Sequence, residues 1–141
     1  MTKKEQREII RLKYNNKCAY CGEELTKGWH IDELLPVRRG WKWKRDTNGE
    51  VILDEMGRKI QENYVMHPER FNIDNQMPSC ASCNINKHSD DLEAFRKLIE
   101  GFINSLNRDS TQYKIAKRYG LIQETVKPVV FYFESLQKTS N

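Results

Sequence analysis

Polar and charged positions dominate the first fourteen residues, with Ile9, Ile10 and Tyr14 set among them. Residues 3–14 contain no Gly or Pro, and Thr2-x-x-Glu5 is a capping-box pattern. These features predict an N-terminal helix with one apolar face, stopped at Asn15-Asn16. Residues 29–35 read as a strand closed by Pro36. Two turn signals, Asn48-Gly49 and Met56-Gly57, flank Val51-Ile52-Leu53, and Arg58-Lys59-Ile60 follows. That pattern predicts one hairpin, with residues 63–72 irregular. Beyond Asp90-x-x-Glu93, the residues Leu92, Phe95, Ile99, Phe102 and Leu106 recur at steps of three and four. Such spacing makes one apolar helical stripe for the core. A second short helix is expected over 110–119, with Gly120 just past its end. The β-prone run Val129-Val130-Phe131-Tyr132-Phe133 should pack against the rest. No repeat or low-complexity linker divides the chain, so 1–141 reads as a single domain. The residues able to carry chemistry fall within 16–91, and 92–141 reads as a helical scaffold extension.

Composition adds two limits. At 141 residues the chain is long enough for a core of its own. No apolar run approaches the roughly 20 residues of a membrane span, so no membrane partner is expected. The opening Met-Thr-Lys-Lys-Glu lacks the apolar segment of a secretory signal, which points to the cytoplasm. The net charge of +4 is mild, but its distribution is uneven. Residues 36–45 hold Arg38, Arg39, Lys42, Lys44 and Arg45 with Trp41 and Trp43, and no acid. Such a segment can neutralise phosphates and stack on bases; equally, it can be a solvated basic loop whose tryptophans pack inward.

All four cysteines stand in two CxxC pairs, Cys18/Cys21 and Cys80/Cys83. Zn²⁺ takes four thiolates tetrahedrally, and a CxxC turn presents two on one side. In a reducing compartment this pattern favours metal over disulfide. A shared zinc would join the two halves of the chain. Beside the first pair, His30 and Asp32 point to one side of the predicted strand and Glu33 to the other. After the second pair, Asn84 and His88 are four apart, one helical turn. Asp32, Asn84 and His88 would together offer a mixed oxygen and nitrogen site suited to Mg²⁺ or Mn²⁺.

In order, Cys18/Cys21, Asp32 with Pro36, Asn75 ahead of Cys80, and Cys80/Cys83-Asn84 with Lys87 resemble an HNH endonuclease of the zinc-bound type found in bacteria and phages. The likeness covers about 16–91. It is weaker in Leu92–Arg96 and in the Phe-Tyr-Phe-Glu tail, which are similar to a phage-associated subgroup. The resemblance implies an α+β protein with a ββα-metal core, a four-cysteine structural zinc site, an N-terminal helix and a C-terminal helical extension. It implies hydrolysis of phosphodiester bonds in DNA, with Zn²⁺ structural and Mg²⁺ or Mn²⁺ catalytic. It makes Asp32 and Asn84 metal ligands, His88 a third, and Asn75 the residue that orients the base or its loop. Arg38, Arg39, Trp41, Lys42, Trp43, Lys44, Arg45 and Lys87 become the DNA-contacting set.

Two departures stand out. The family's general-base histidine should follow Asp32, and this chain has Glu33. A histidine titrates near neutrality and a glutamate well below it, so the two are not equivalent bases. Glu33 can be the base, can join the metal site, or can mark an inactive site that only binds DNA; His30 is a displaced alternative base. The second departure is length: residues 41–67 read as an insertion beside the site. The competing readings are a zinc-stabilised DNA-binding module with a degenerate site and a zinc-ribbon protein-interaction domain.

Overall fold

The computed structural model describes residues 1–137. Its helices are α1 (Lys3–Leu12), α2 (Ala81–Lys87), α3 (Leu92–Glu100), α4 (Phe102–Asp109), α5 (Thr111–Arg118) and α6 (Tyr132–Gln137). Its strands are β1 (His30–Glu33), β2 (Arg39–Trp43), β3 (Gln61–Val65) and β4 (Gln76–Ser79). They form two separate antiparallel pairs, β1 with β4 and β2 with β3. The fold is therefore α+β, and no helix among the described residues is long and apolar enough to cross a membrane.

Helix α1 begins as its sequence predicts. The Glu5 N–H donates to Thr2 Oγ1, and the Thr2 N–H returns to the Glu5 carboxylate. It ends at Leu12, two residues before the expected Tyr14. Asn15 and Asn16 take left-handed φ values of 52° and 62° and turn the chain back; asparagine tolerates that region better than most residues. Lys13 Nζ then donates to the Gln76 carbonyl at 2.6 Å, anchoring the helix end to β4.

The core forms around the first cysteine turn. Tyr20 meets Phe95, Phe131 and Phe133 edge-on, with ring centroids 5.6, 5.7 and 6.3 Å away. Cys18, Ala19, Leu25 and Met77 complete this buried cluster. Each fully buried aromatic adds about 1.5–3 kcal/mol. Phe95 lies on α3, and Phe131 and Phe133 lie in the tail, so the C-terminal segment supplies much of the core around the cysteines. Arg96 fixes that arrangement: it donates to the Val129 carbonyl and the Glu134 carboxylate, both at 2.6 Å, above the Phe131 ring.

Two expectations change, and a third is met in another form. The apolar stripe is split between α3 and α4 at Gly101, where a helix interior is least favourable. Its second half, Phe102 and Leu106, stays exposed. The β-prone tail packs into the core as expected, through Phe131 and Phe133, but not as a strand. It runs extended to Phe131 and then becomes α6, because the Tyr132 and Phe133 amides donate to the carbonyls of Tyr20 and Ala19. Finally, the hairpin is longer than expected. β2 and β3 form an arm whose tip is folded by both turn signals, with bridges Arg45–Val51 and Leu53–Lys59. Residues 63–65, expected to be irregular, belong to β3.

Gly22 closes the first cysteine turn at φ 79°, and a Cβ there would stand 3.0 Å from the Tyr132 ring. Gly22→Ala combines backbone strain with that collision and should lower stability by about 1–3 kcal/mol. Urea unfolding would measure it, and an unchanged midpoint would show that the turn relaxes freely.

Candidate metal centre and adjoining cleft

Each cysteine pair is built by a local device. In the first, the Cys18 amide donates to the Glu23 carbonyl and the Gly22 amide to the Cys18 carbonyl, closing a turn over Cys21. In the second, Cys80 is the N-cap of α2, and its sulfur accepts the Cys83 N–H at 3.4 Å. A hydrogen bond from the Ala19 amide to the Pro78 carbonyl, 2.8 Å, draws the two turns together.

The four sulfurs of Cys18, Cys21, Cys80 and Cys83 lie within 4.8 Å of one another. None is in a disulfide. Cys21 Sγ and Cys80 Sγ are 3.8 Å apart. A tetrahedron with metal–sulfur bonds of about 2.3 Å has edges of about 3.8 Å. Without a cation the four cannot all ionise. The Cys83 thiol donates to Cys18 and holds Cys18 well below the usual thiol range. The same hydrogen bond, burial and the Cys18 charge push Cys83 far above it. A divalent ion removes that conflict by neutralising two charges at the centre, and the donor set could hold a metal ion such as zinc.

Beside the cysteines, β4 leads straight into α2, which packs on β1. The groove between them is a cleft of about 470 Å³ lined by Asp32, Glu33, Arg38, Arg39, Asn84 and His88, among others. The three expected ligands and Glu33 thus line one cleft, although the four cysteines are the one group of His, Cys, Asp or Glu side chains among the described residues close enough together to hold an ion. His30 starts β1, is exposed, and is not among the cleft-lining residues. His88 does not continue the helix. It caps α2 at φ 53°, ψ −133°, a combination natural to glycine, and its Nδ1 lies 3.1 Å from Ser89 Oγ.

Asp32 is more enclosed than the sequence suggested. Lys87 Nζ lies 3.0 Å from Asp32 Oδ2, and the Tyr20 hydroxyl donates to the same oxygen. Lys87 also donates to the Glu33 carbonyl at 3.0 Å. Its side chain is 0% exposed, so the ammonium expected to meet DNA sits inside the fold and has no surface to offer a phosphate. Burial, then the charge and hydrogen bond of Asp32, push the Tyr20 hydroxyl far above the ordinary tyrosine range and keep it a donor.

Asn75 lies just before β4, at the end of a short 3₁₀ turn (Ile73–Asn75), rather than on the strand. It is buried with its amide fully occupied. The Leu35 N–H donates to Oδ1 at 2.8 Å, and Nδ2 donates to the carbonyls of Leu35 and Arg70, each at 2.9 Å. Asn75 thus pins the chain that leaves Glu33, and it offers the cleft no free polar atom.

The basic segment is a strand. Trp41 and Trp43 are 55% and 37% exposed, with rings 5.0 Å apart, so the inward-packed alternative for them does not hold. Arg38 enters that strand at φ 55°, rare for arginine.

Reading the sequence missed Tyr20 and misplaced Lys87. Lys87 carried a usable signal, since Cys83 and Lys87 are four apart and share the inner face of α2. Tyr20 carried none, because a residue between two cysteines can face either way. No protein-family model matches this chain, and comparison with curated proteins and with solved structures returns no significant match.

Proposed function

We propose that this chain is a metal-dependent endonuclease that hydrolyses phosphodiester bonds in DNA. The observation that carries the reading is the cleft, which Asp32, Glu33, Asn84 and His88 line together with Arg38 and Arg39, and whose helix α2 starts at the Cys80 cap. Strand β1 supplies Asp32 and Glu33, and α2 supplies Asn84 with His88 at its C-cap; β1 pairs with β4, which leads into α2, the order a ββα-metal core would have. In this reading zinc holds the turns, and the cleft takes the second ion.

Asp32, Asn84 and His88 are the residues that would hold Mg²⁺ or Mn²⁺ there. The fit is chemical: a carboxylate, an amide oxygen and an imidazole suit a hard divalent ion that keeps open positions. Asp32 Oδ2 is already engaged by Lys87 and Tyr20, which leaves Oδ1 for the cleft. Such an ion would neutralise charge on the scissile phosphate and its leaving oxygen. Arg38 and Arg39 grip the phosphate beside it with planar guanidinium donors. Glu33, on the strand next to Asp32, takes the proton of the attacking water. Asn75 fixes the backbone on which Glu33 is carried. The positive φ values of Arg38 and His88 belong with this reading, since backbone strain gathers where side chains must be aimed.

A second reading, a zinc-stabilised DNA-binding module with an inactive site, is favoured by the enclosure of Asp32 and by glutamate in the base position. Supercoiled-plasmid nicking by the parent, Glu33→Ala and Glu33→His, with Mg²⁺ and with Mn²⁺ from pH 6 to 9, separates the two. The nuclease reading expects the parent to nick and Glu33→Ala to lose about 10²–10⁴-fold, the usual contribution of a positioned base. An inert parent with an active Glu33→His would establish the inactive-site reading instead.

A further inference from the structure

The β2–β3 arm stands away from the cleft with both faces in solvent, apart from Gly40 and Val65, which are half-buried. Such an arm contributes nothing to the core, and its two faces differ. On one, the Tyr64 ring lies across Gly40, where a Cβ would be 2.7 Å from the ring, and Lys42 sits over the same ring. That face is occupied by its own aromatic. On the other, Trp41 lies opposite Asn63 and Trp43 opposite Gln61. Directly opposed residues share a face, so two indoles and two carboxamides form one open surface. Gln61 Nε2 donates to Asn63 Oδ1 at 3.1 Å, which aligns the carboxamides along the strand.

The charges favour a polyanion. None of the ion pairs among the described residues involves Arg38, Arg39, Lys42, Lys44 or Arg45. Two of the arm's acids are engaged by its turns, Asp46 Oδ1 accepting the amides of Asn48 and Glu50 and Asp54 Oδ1 those of Met56 and Arg58, while Glu50, Glu55 and Glu62 stay exposed. At its base the arm joins the cleft through Arg38 and Arg39.

We propose that this arm enters the major groove of duplex DNA and reads base edges through Gln61 and Asn63, with Trp41 and Trp43 as its apolar contacts. The inference rests on the DNA reading of the cleft and adds a specificity element to it. The major groove admits a two-stranded ribbon, and a carboxamide pairs with both hydrogen-bonding groups of an adenine edge. Cations left unpaired along β2 meet the phosphates on either side.

The test is selection from a duplex library with a randomised 20-base-pair segment, without divalent cation in the binding step, using the parent and Gln61→Ala/Asn63→Ala. Expected is a motif containing A·T pairs from the parent, and a loss of roughly 5- to 150-fold in discrimination at those pairs from the variant. The same motif with undiminished discrimination from the variant would overturn the proposal. So would a parent that binds duplex without preference, or that prefers single-stranded DNA of the same library; both leave the DNA reading standing. Failure of the parent to retain any DNA at low salt would overturn the DNA reading itself.

Discussion

Lys87→Met should destabilise the protein by about 3–5 kcal/mol, the usual effect of removing one partner from a buried ion pair. Lys87 and Asp32 are 0% and 6% exposed at the side chain, so water cannot take over the lost contact. A pair of the same length at the surface would be worth only about 0–1 kcal/mol. The substitution leaves Asp32 with Tyr20 alone and removes the donor that holds the Glu33 carbonyl. Urea unfolding gives the difference, and a shift of under 1 kcal/mol would mean that solvent reaches the pair. The double variant Lys87→Met/Asp32→Leu should be less damaged than Lys87→Met, since it buries no lone charge and takes a partner only from the neutral Tyr20 hydroxyl and Glu33 carbonyl. One consequence concerns activity tests. Removing Asp32 alone strands a buried ammonium, so loss of function in such a variant reports on folding before it reports on chemistry. Asn84 and His88, which line the cleft and bear no such charge pair, are the cleaner probes.

Removing the metal from the cysteine site should abolish cooperative unfolding altogether. Structural zinc binding in zinc-finger peptides contributes about 10–16 kcal/mol, comparable with the whole stability of a domain, about 5–15 kcal/mol. Here the effect reaches the core directly. Cys18, Ala19 and Tyr20 belong to the buried cluster with Phe95, Phe131 and Phe133, so loosening the first turn releases the tail and α3 as well. Thermal melts followed by far-ultraviolet circular dichroism, with and without a strong chelator and with metal content measured, test this. Cys80→Ser should behave like the chelated parent. A chelated protein that has lost its metal yet melts as before would show that packing alone holds the turns.

Much of this was legible in the chain because its signals were local. The capping box at Thr2, the Gly120 stop of α5, and the pairing of the cysteines each depend on a few neighbouring residues. Asp32, Asn84 and His88 line one cleft, as expected once the cysteine turns were taken to meet, whereas strand alternation set Glu33 apart from Asp32 and His30 beside it, the reverse of what lines the cleft. What could not be read depends on tertiary partners. Val129–Phe133 has strand propensity, but the free carbonyls of Ala19 and Tyr20 lie where only a helical turn at Tyr132 meets them. The Leu92–Leu106 stripe has helical spacing across Gly101, but spacing does not reveal which half finds a core. Lys87 shows the limit most plainly. Its spacing from Cys83 sets it on the inner face of α2, but only the position of Asp32 on the facing strand supplies the partner of a buried ammonium. The basic strand was correctly picked out as unusual, whereas its pairing with Gln61–Val65 spans a gap that no local pattern encodes.

The most direct measurement is nicking of supercoiled plasmid by the metal-loaded parent and by Asn84→Ala/His88→Ala, in Mn²⁺ and in Mg²⁺, with zinc content and melting curves matched between the two proteins. A metal-dependent nuclease built on this cleft predicts cation-dependent nicking by the parent and a loss of at least about 100-fold in the variant. Equal nicking by both would place the chemistry outside the cleft, and a parent inert with either cation would contradict the nuclease reading.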